Sequence, residues 1–118
     1  MSIAIKRVYE PAAKADGYRV LVDRLWPRGL KKAEVPLDVW AKQLAPSTEL
    51  RQWFGHEPSR WDGFRERYAR ELDDLTEHWQ PLAERAIQHR VTLLYGARDE
   101  QHNQALALKA YLEQHGPR

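Results

Sequence analysis

The chain has no cysteine and a single methionine among its 118 residues. Without a thiol there is no disulfide framework, no thiolate nucleophile and no thiolate metal site, and that usage suits a reducing compartment. No apolar run approaches the ~20 residues that span a bilayer. The stretch after Met1, Ser-Ile-Ala-Ile-Lys, lacks the basic start and long apolar core of a secretory signal. The expected location is the cytoplasm, with no membrane partner. A Walker loop, a GxGxxG fingerprint and a nucleophile elbow are missing as well. The histidines at 56, 78, 89, 102 and 115 fall at no metal-ligand spacing, so neither a metal nor a cofactor is expected. A strong charge of one sign is also missing. The formal net charge is +2, too small by itself to argue for nucleic acid.

What is present describes a globular domain. Hydrophobic residues make up 42% and charged residues 31%, which is neither a disordered nor a fibrous composition. A chain of this length is one domain, 1–118, large enough to bury roughly two-thirds of its unfolded surface. Five tryptophans in so short a chain must mostly pack in a core or line a pocket. Thirteen arginines stand against six lysines, and arginine suits planar, bidentate recognition of carboxylates and phosphates. For the helical arginines, pairing with nearby Glu and Asp is the simpler explanation.

The stretch Tyr18–Gly29, YRVLVDRLWPRG, organises the rest. Val20, Leu21 and Val22 form the apolar, β-branched run of a central strand. Asp23 and Arg24 end it, and Pro27 and Gly29 deny the following loop regular structure. Before it, Ile3, Ile5 and Val8 mark a first strand, and Tyr9–Gly17 is a polar connector. That connector is short for a parallel crossover, so spacing alone favours a hairpin. Lys31 to Pro46 carries Val35, Leu37, Trp40, Ala41 and Leu44 at roughly helical spacing. Ser47 then reads as the N-cap of a short helix closed by Gly55. Ser59, with Asp62 three residues on, opens an amphipathic helix on which Trp61, Phe64, Tyr68, Leu72, Leu75 and Trp79 repeat. Pro81 starts another helix to about His89, with Leu82, Ala86 and Ile87 inward. Val91–Tyr95 is a strand buried on both faces, and Gly96–Asp99 is a loop. A last helix runs from about Glu100 to His115, with Ala105, Leu108, Tyr111 and Leu112 inward. The expected fold is α/β: a small, mainly parallel sheet of about three strands flanked by helices.

Two buried strands thus end in charged, glycine-containing loops. If they are parallel neighbours, both loops emerge at one sheet edge, where open α/β sheets bind ligands. Arg24, Arg28 and Arg98 then supply guanidiniums to one anion, and the loop after Gly96 leads into a helix N-terminus that favours negative charge. Asp23 orients a guanidinium or handles a proton. His102 is the candidate general acid or base, with Asp99 and Asn103 as binding residues and Trp26 lining the site. The bland alternatives are equally concrete. Asp99 serves as a helix cap, Gly96 as a turn residue, and Asp23–Arg24 as an ion pair that shapes the loop. His56, in a Gly-His-Glu-Pro linker, is a second candidate, although loop histidines are more often plain surface residues.

Several strings are specific. Arg7-Val-Tyr-Glu-Pro11, Asp16-Gly-Tyr-Arg-Val-Leu-Val-Asp-Arg-Leu-Trp-Pro-Arg-Gly29, Leu44-Ala-Pro-Ser47, Leu50-Arg51, Trp53-Phe-Gly-His56 and Leu94-Tyr-Gly-Ala-Arg-Asp99 with His102-Asn103 run nearly end to end. They resemble the YeaO-like branch of the domain-of-unknown-function family 488, for which no activity is established. The resemblance implies that the first two strands are parallel, with Glu10–Gly17 as a shortened crossover. Other branches carry a Cys-His-Arg cluster about where His102-Asn103-Gln104 stand here, so thiol chemistry does not carry over to this cysteine-free chain. Two functions follow as expectations. One is a pocket for an anionic small molecule, with or without catalysis on a phosphorylated or nucleotide-like substrate. The other is a nucleic-acid or acidic-partner binding module. The sequence carries no signal for an oligomeric state.

Overall fold

Each apolar run bounded by charges becomes a strand of one parallel sheet. The computed structural model describes residues 1–117. Strand β1 spans Ile3–Arg7, β2 Tyr18–Leu21, β3 Val39–Trp40 and β4 Val91–Tyr95. Their order is β1-β4-β2-β3 and every pairing is parallel. The central strand β4 is buried throughout, as its Val-Thr-Leu-Leu-Tyr composition requires. Leu93 pairs with Ile5 on one side and Val20 on the other. The α/β class expected from the sequence holds, with the two-residue β3 as an added edge.

Four helices follow: α1 Thr48–Phe54, α2 Trp61–Asp73, α3 Thr76–Gln88 and α4 Gln104–His115. Alternate strand residues point to opposite faces, and the two faces are covered differently. Ile3, Val20, Val22, Val91, Leu93 and Tyr95 share one core with apolar residues of all four helices. The opposite face, with Leu21 and Leu94, is buried with Val8 and Val35 under Trp26, Leu30, Leu37 and Trp40. Irregular chain, not helix, covers that side. At its other end lies a buried polar network. The Asp16 carboxylate accepts from the Ala13 amide at 2.9 Å, from Lys6 Nζ at 3.1 Å and from the Arg19 guanidinium, while Arg19 Nε donates to the Pro36 carbonyl at 2.7 Å. Burial pushes the Asp16 carboxyl up, but the Ala13 amide, Lys6 and Arg19 outweigh it and hold the group below its ordinary range.

The structure corrects several expectations. Strands β1 and β2 form no hairpin; they flank β4 and run parallel, as the family resemblance implied. The Val8 amide bonds the Tyr95 carbonyl, Thr92 Oγ1 bonds the Asp16 carbonyl, and the Tyr18 amide bonds the Arg90 carbonyl. The connector therefore runs back across the outer face of β4. Extended chain covers about 3.3 Å per residue, enough to pass the five residues of β4 without a helix. Lys31–Pro46 is not helical either. It forms short 3₁₀ turns at Lys32–Glu34 and Lys42–Leu44 around β3. Its apolar residues are needed as a cover for the outer face, and Asp38 pins the segment to β2 by accepting from the Arg19 amide at 2.8 Å.

The long amphipathic stretch is two helices. The chain breaks at Asp74–Leu75, and Trp79 belongs to α3, its indole donating to the Leu72 carbonyl at 2.8 Å. A 3₁₀ turn at Pro58–Arg60 precedes α2, which has no side-chain cap from Ser59. Pro81 lies inside α3 rather than opening it, on an exposed face, and Ile87 is exposed rather than inward. Helix α4 starts four residues later than expected, which leaves Gly96–Asn103 as a loop. The α1 reading holds: Ser47 Oγ accepts from the Leu50 amide at 3.1 Å, and Gly55 ends the helix in the left-handed region at φ 55°.

Candidate functional site

Parallel strands all end at the same edge, so the loops after β1, β2 and β4 meet there. The Val22 amide extends the ladder to the Leu94 carbonyl at 3.0 Å, which sets Asp23 beside Gly96. Together these loops and α1 enclose a cleft of about 260 Å³ lined by Tyr9, Asp23–Arg28, Pro46, Arg51, His56, Gly96, Ala97 and Gln104.

Asp23 forms its floor. One carboxylate oxygen accepts from the Gly96 amide at 2.9 Å, and the other accepts from the Gln104 side chain. Desolvation by burial pushes its pKa up to about 6, against the opposing pull of the Gly96 amide, the Arg51 charge and Gln104. Glycine at 96 is a matter of space, because a Cβ there would sit 2.9 Å from Asp23 Oδ2. The Asp23 carbonyl accepts from the Trp40 indole at 2.7 Å.

The remaining residues singled out from the sequence divide into those that face the cleft and those consumed by the scaffold. The Arg24 guanidinium donates to the carbonyls of Pro46 at 3.0 Å and Ala45 at 3.1 Å, fastening the β2 loop to the approach to α1. Trp26 donates to the Leu30 carbonyl at 2.6 Å and packs edge-on against Trp40, with one side left to the cleft. Arg28 is exposed at the rim, and its carbonyl accepts from the Tyr9 hydroxyl at 2.8 Å. Arg98 does not reach this cleft; it lines a shallow depression with Arg7, Tyr9, Arg28 and Gly96. Asp99 binds the Gln101 and His102 amides and His102 Nδ1 at 2.8, 3.1 and 2.9 Å. These bonds, with the Gln101 amide foremost, hold its carboxyl below the ordinary range. It does not cap α4. Asn103 does, accepting from the Leu106 amide at 2.9 Å while donating to the Asp99 carbonyl at 3.0 Å. His102 lies edge-on to Trp61 and lines an adjoining hollow, not the floor beside Asp23.

Five cleft residues lie outside the loops after β2 and β4: Tyr9, Pro46, Arg51, His56 and Gln104. Arg51 makes no ion pair or side-chain hydrogen bond among the described residues. His56 adopts φ 57°, a left-handed conformation uncommon for a side chain larger than glycine. Following the left-handed Gly55, it turns the chain so that His56 borders the cleft. The one signal in the sequence was the linker histidine itself. The Ser47 hydroxyl at the α1 cap is committed to Glu71 at 2.6 Å. Among the described residues no group of three His, Asp or Glu converges as a metal site.

Fold and cleft together define a class: a small parallel α/β protein, helical on one sheet face, with carboxylate, arginine and histidine at the carboxyl edge of its strands. The chain belongs to the DUF488 family, in its YeaO-like branch. The matching family, DUF488-N3i, is described as the inactive DUF488-N3 subclade and covers residues 2–117. The uncharacterised protein YeaO of Escherichia coli K12 is 48% identical over 112 residues, 95% of this chain and 97% of its own. Uncharacterised Rv3073c of Mycobacterium tuberculosis H37Rv is 49% identical over 72 residues, 61% of each chain. No solved structure matches.

Proposed function

We propose that this chain is a small-molecule binding protein whose carboxyl-edge cleft takes an anionic group, a phosphate, sulfate or carboxylate, against Arg51 and Arg28. The observation that carries the reading is Arg51, a guanidinium without an ion pair or side-chain hydrogen bond among the described residues, bordering a concave cleft beside His56. A guanidinium in such a place offers bidentate hydrogen bonds to a planar or tetrahedral anion. Asp23, its pKa pushed up to about 6 by burial, donates to an anion oxygen in its neutral form and accepts from a ligand N–H or O–H in its charged form. Phosphorylated or nucleotide-like small molecules fit that mixture of partners.

The reading stops at binding. The Ser47 hydroxyl is engaged by Glu71, and the His102–Asp99 pair stands at the adjoining hollow rather than in the cleft, which Asp23 and His56 border. The description of the matching subclade as inactive agrees. Calorimetric titration with inorganic phosphate tests the reading. Saturable binding that weakens about tenfold in Arg51→Gln supports it; no binding, or the same affinity in the variant, overturns it. The rival nucleic-acid module rests on the shallow depression of Arg7, Arg28 and Arg98. It predicts binding to a short oligonucleotide with a steep salt dependence.

A further inference from the structure

The cleft does not end at Arg51. A second hollow of about 350 Å³ opens beside it, and Leu25, Pro46, Arg51, His56, Ala97 and Gln104 border both. Its far wall is of a different character. Phe54 and Phe64, stacked with centroids 4.5 Å apart, form its apolar back, with Thr48 at the mouth. An inorganic anion beside Arg51 leaves this half empty. The first cleft alone falls below the ~300–1,000 Å³ usual for ligand sites and the second stands near its lower end, so a ligand spanning both fits that range more fully.

Leu25 gives an independent pointer. It is 63% exposed, the most exposed of the large apolar side chains, and it stands on the shared border of the two hollows. A scattered surface leucine needs no explanation. One set over an apolar hollow gains by being covered, because the ligand then removes both from water. The strained backbone of His56 places a flat, polarisable ring at the same junction.

We infer that the ligand has two parts: an anionic group held at Arg51 and Arg28, and a flat apolar body lodged in the adjoining hollow between Leu25 and the Phe54–Phe64 wall. This rests on the proposed anion site and names the class of molecule that fills it, an aryl or heteroaryl phosphate or carboxylate. Apolar contact then supplies affinity, and the guanidinium fixes which end enters the polar half.

The test compares phenyl phosphate, inorganic phosphate and benzyl alcohol by calorimetry on the full chain. Phenyl phosphate is expected to bind at least about tenfold tighter than phosphate, with benzyl alcohol weaker than either. Thr48→Trp, which fills the mouth of the apolar half from an exposed position, is expected to reduce that advantage to about twofold or less; thermal unfolding checks that the variant is folded. Equal affinity for phosphate and phenyl phosphate overturns the two-part ligand while leaving the anion site standing. An advantage that survives Thr48→Trp in a folded variant overturns the assigned hollow. Absence of binding by both phosphates, or benzyl alcohol matching phenyl phosphate, removes the anion site and this inference with it.

Discussion

A carboxyl held between the Gly96 amide and Gln104 at the end of β2, with its pKa pushed up to about 6 from 3.8, makes both folding and binding sensitive to pH. The folded form binds the Asp23 proton more tightly than the unfolded chain does. Its contribution is therefore fully present below about pH 4 and is lost as pH rises through about 6. Asp23→Asn keeps an acceptor for Gly96 and removes the charge. Urea denaturation should find the variant more stable than wild type by about 1–2 kcal/mol at pH 7, with the gain absent at pH 4. The same logic applies to the proposed ligand. Sulfate keeps a constant charge over this range, so its affinity should rise as pH falls through 6, and Asp23→Asn should bind it severalfold more tightly than wild type at pH 7. Asp23 was legible because a charge directly after Val20-Leu21-Val22 has to stand at a strand end. Arg24, Asp99 and Asn103 were read as ligand-facing, yet each satisfies local polar groups: loop carbonyls, turn amides or a helix end. Capping and binding use the same residue types, and only the path of the chain separates them. Arg51 and Gln104 went unnoticed for the converse reason. Each looks like an ordinary polar position on its own helix, and becomes a cleft residue when α1 packs on α2 and α4 on β1 and β4.

Strands β1, β2 and β4 and the capped helix α1 were legible because their signals are local: apolar runs, a serine cap and a glycine stop. The segments that misled are those whose apolar residues serve another element. Val35, Leu37 and Trp40 imitate a helical repeat, but they cover the outer sheet face where no helix lies. Two devices hold the unusual β1–β2 crossover, and both can be tested. Gly17 sits at φ 65°, ψ −128°, and a Cβ there would meet the Arg90 carbonyl oxygen at 2.3 Å. Thermal or urea unfolding of Gly17→Ala should show a loss of about 3 kcal/mol or more. Asp16→Ala leaves the buried Arg19 guanidinium without its anion, and should cost about 3 kcal/mol. Because the native Asp16 carboxyl is held below its ordinary range, the stability it provides is present above about pH 4 and lost as pH falls below it. Wild type and Asp16→Ala should therefore converge in acid.

At the scale of the molecule, the asymmetry of the two sheet faces explains where the cleft lies. Helices gather on one side, the Tyr9–Gly17 and Leu25–Ala41 segments thatch the other, and both coverings reach the carboxyl edge. There the DRLWPRG loop, the Gly96 loop and α1 close around Asp23. None of the described helices is long and apolar enough to cross a membrane. The overall class was readable from the strand runs, whereas the meeting of the charged loops at one edge depended on β2 and β4 being parallel neighbours, which the strand ends by themselves do not fix. That Arg51 joins Arg28 at the cleft while Arg24 is bonded to loop carbonyls was not readable either, since Arg24 and Arg51 differ only in what their neighbours offer them. The most direct measurement is a sulfate titration followed by amide NMR on wild type and Arg51→Gln. The account predicts saturable shifts centred on Gly96, Gln104 and His56, with affinity about tenfold weaker in the variant. Shifts that never saturate, that map elsewhere, or that are identical in Arg51→Gln would contradict it.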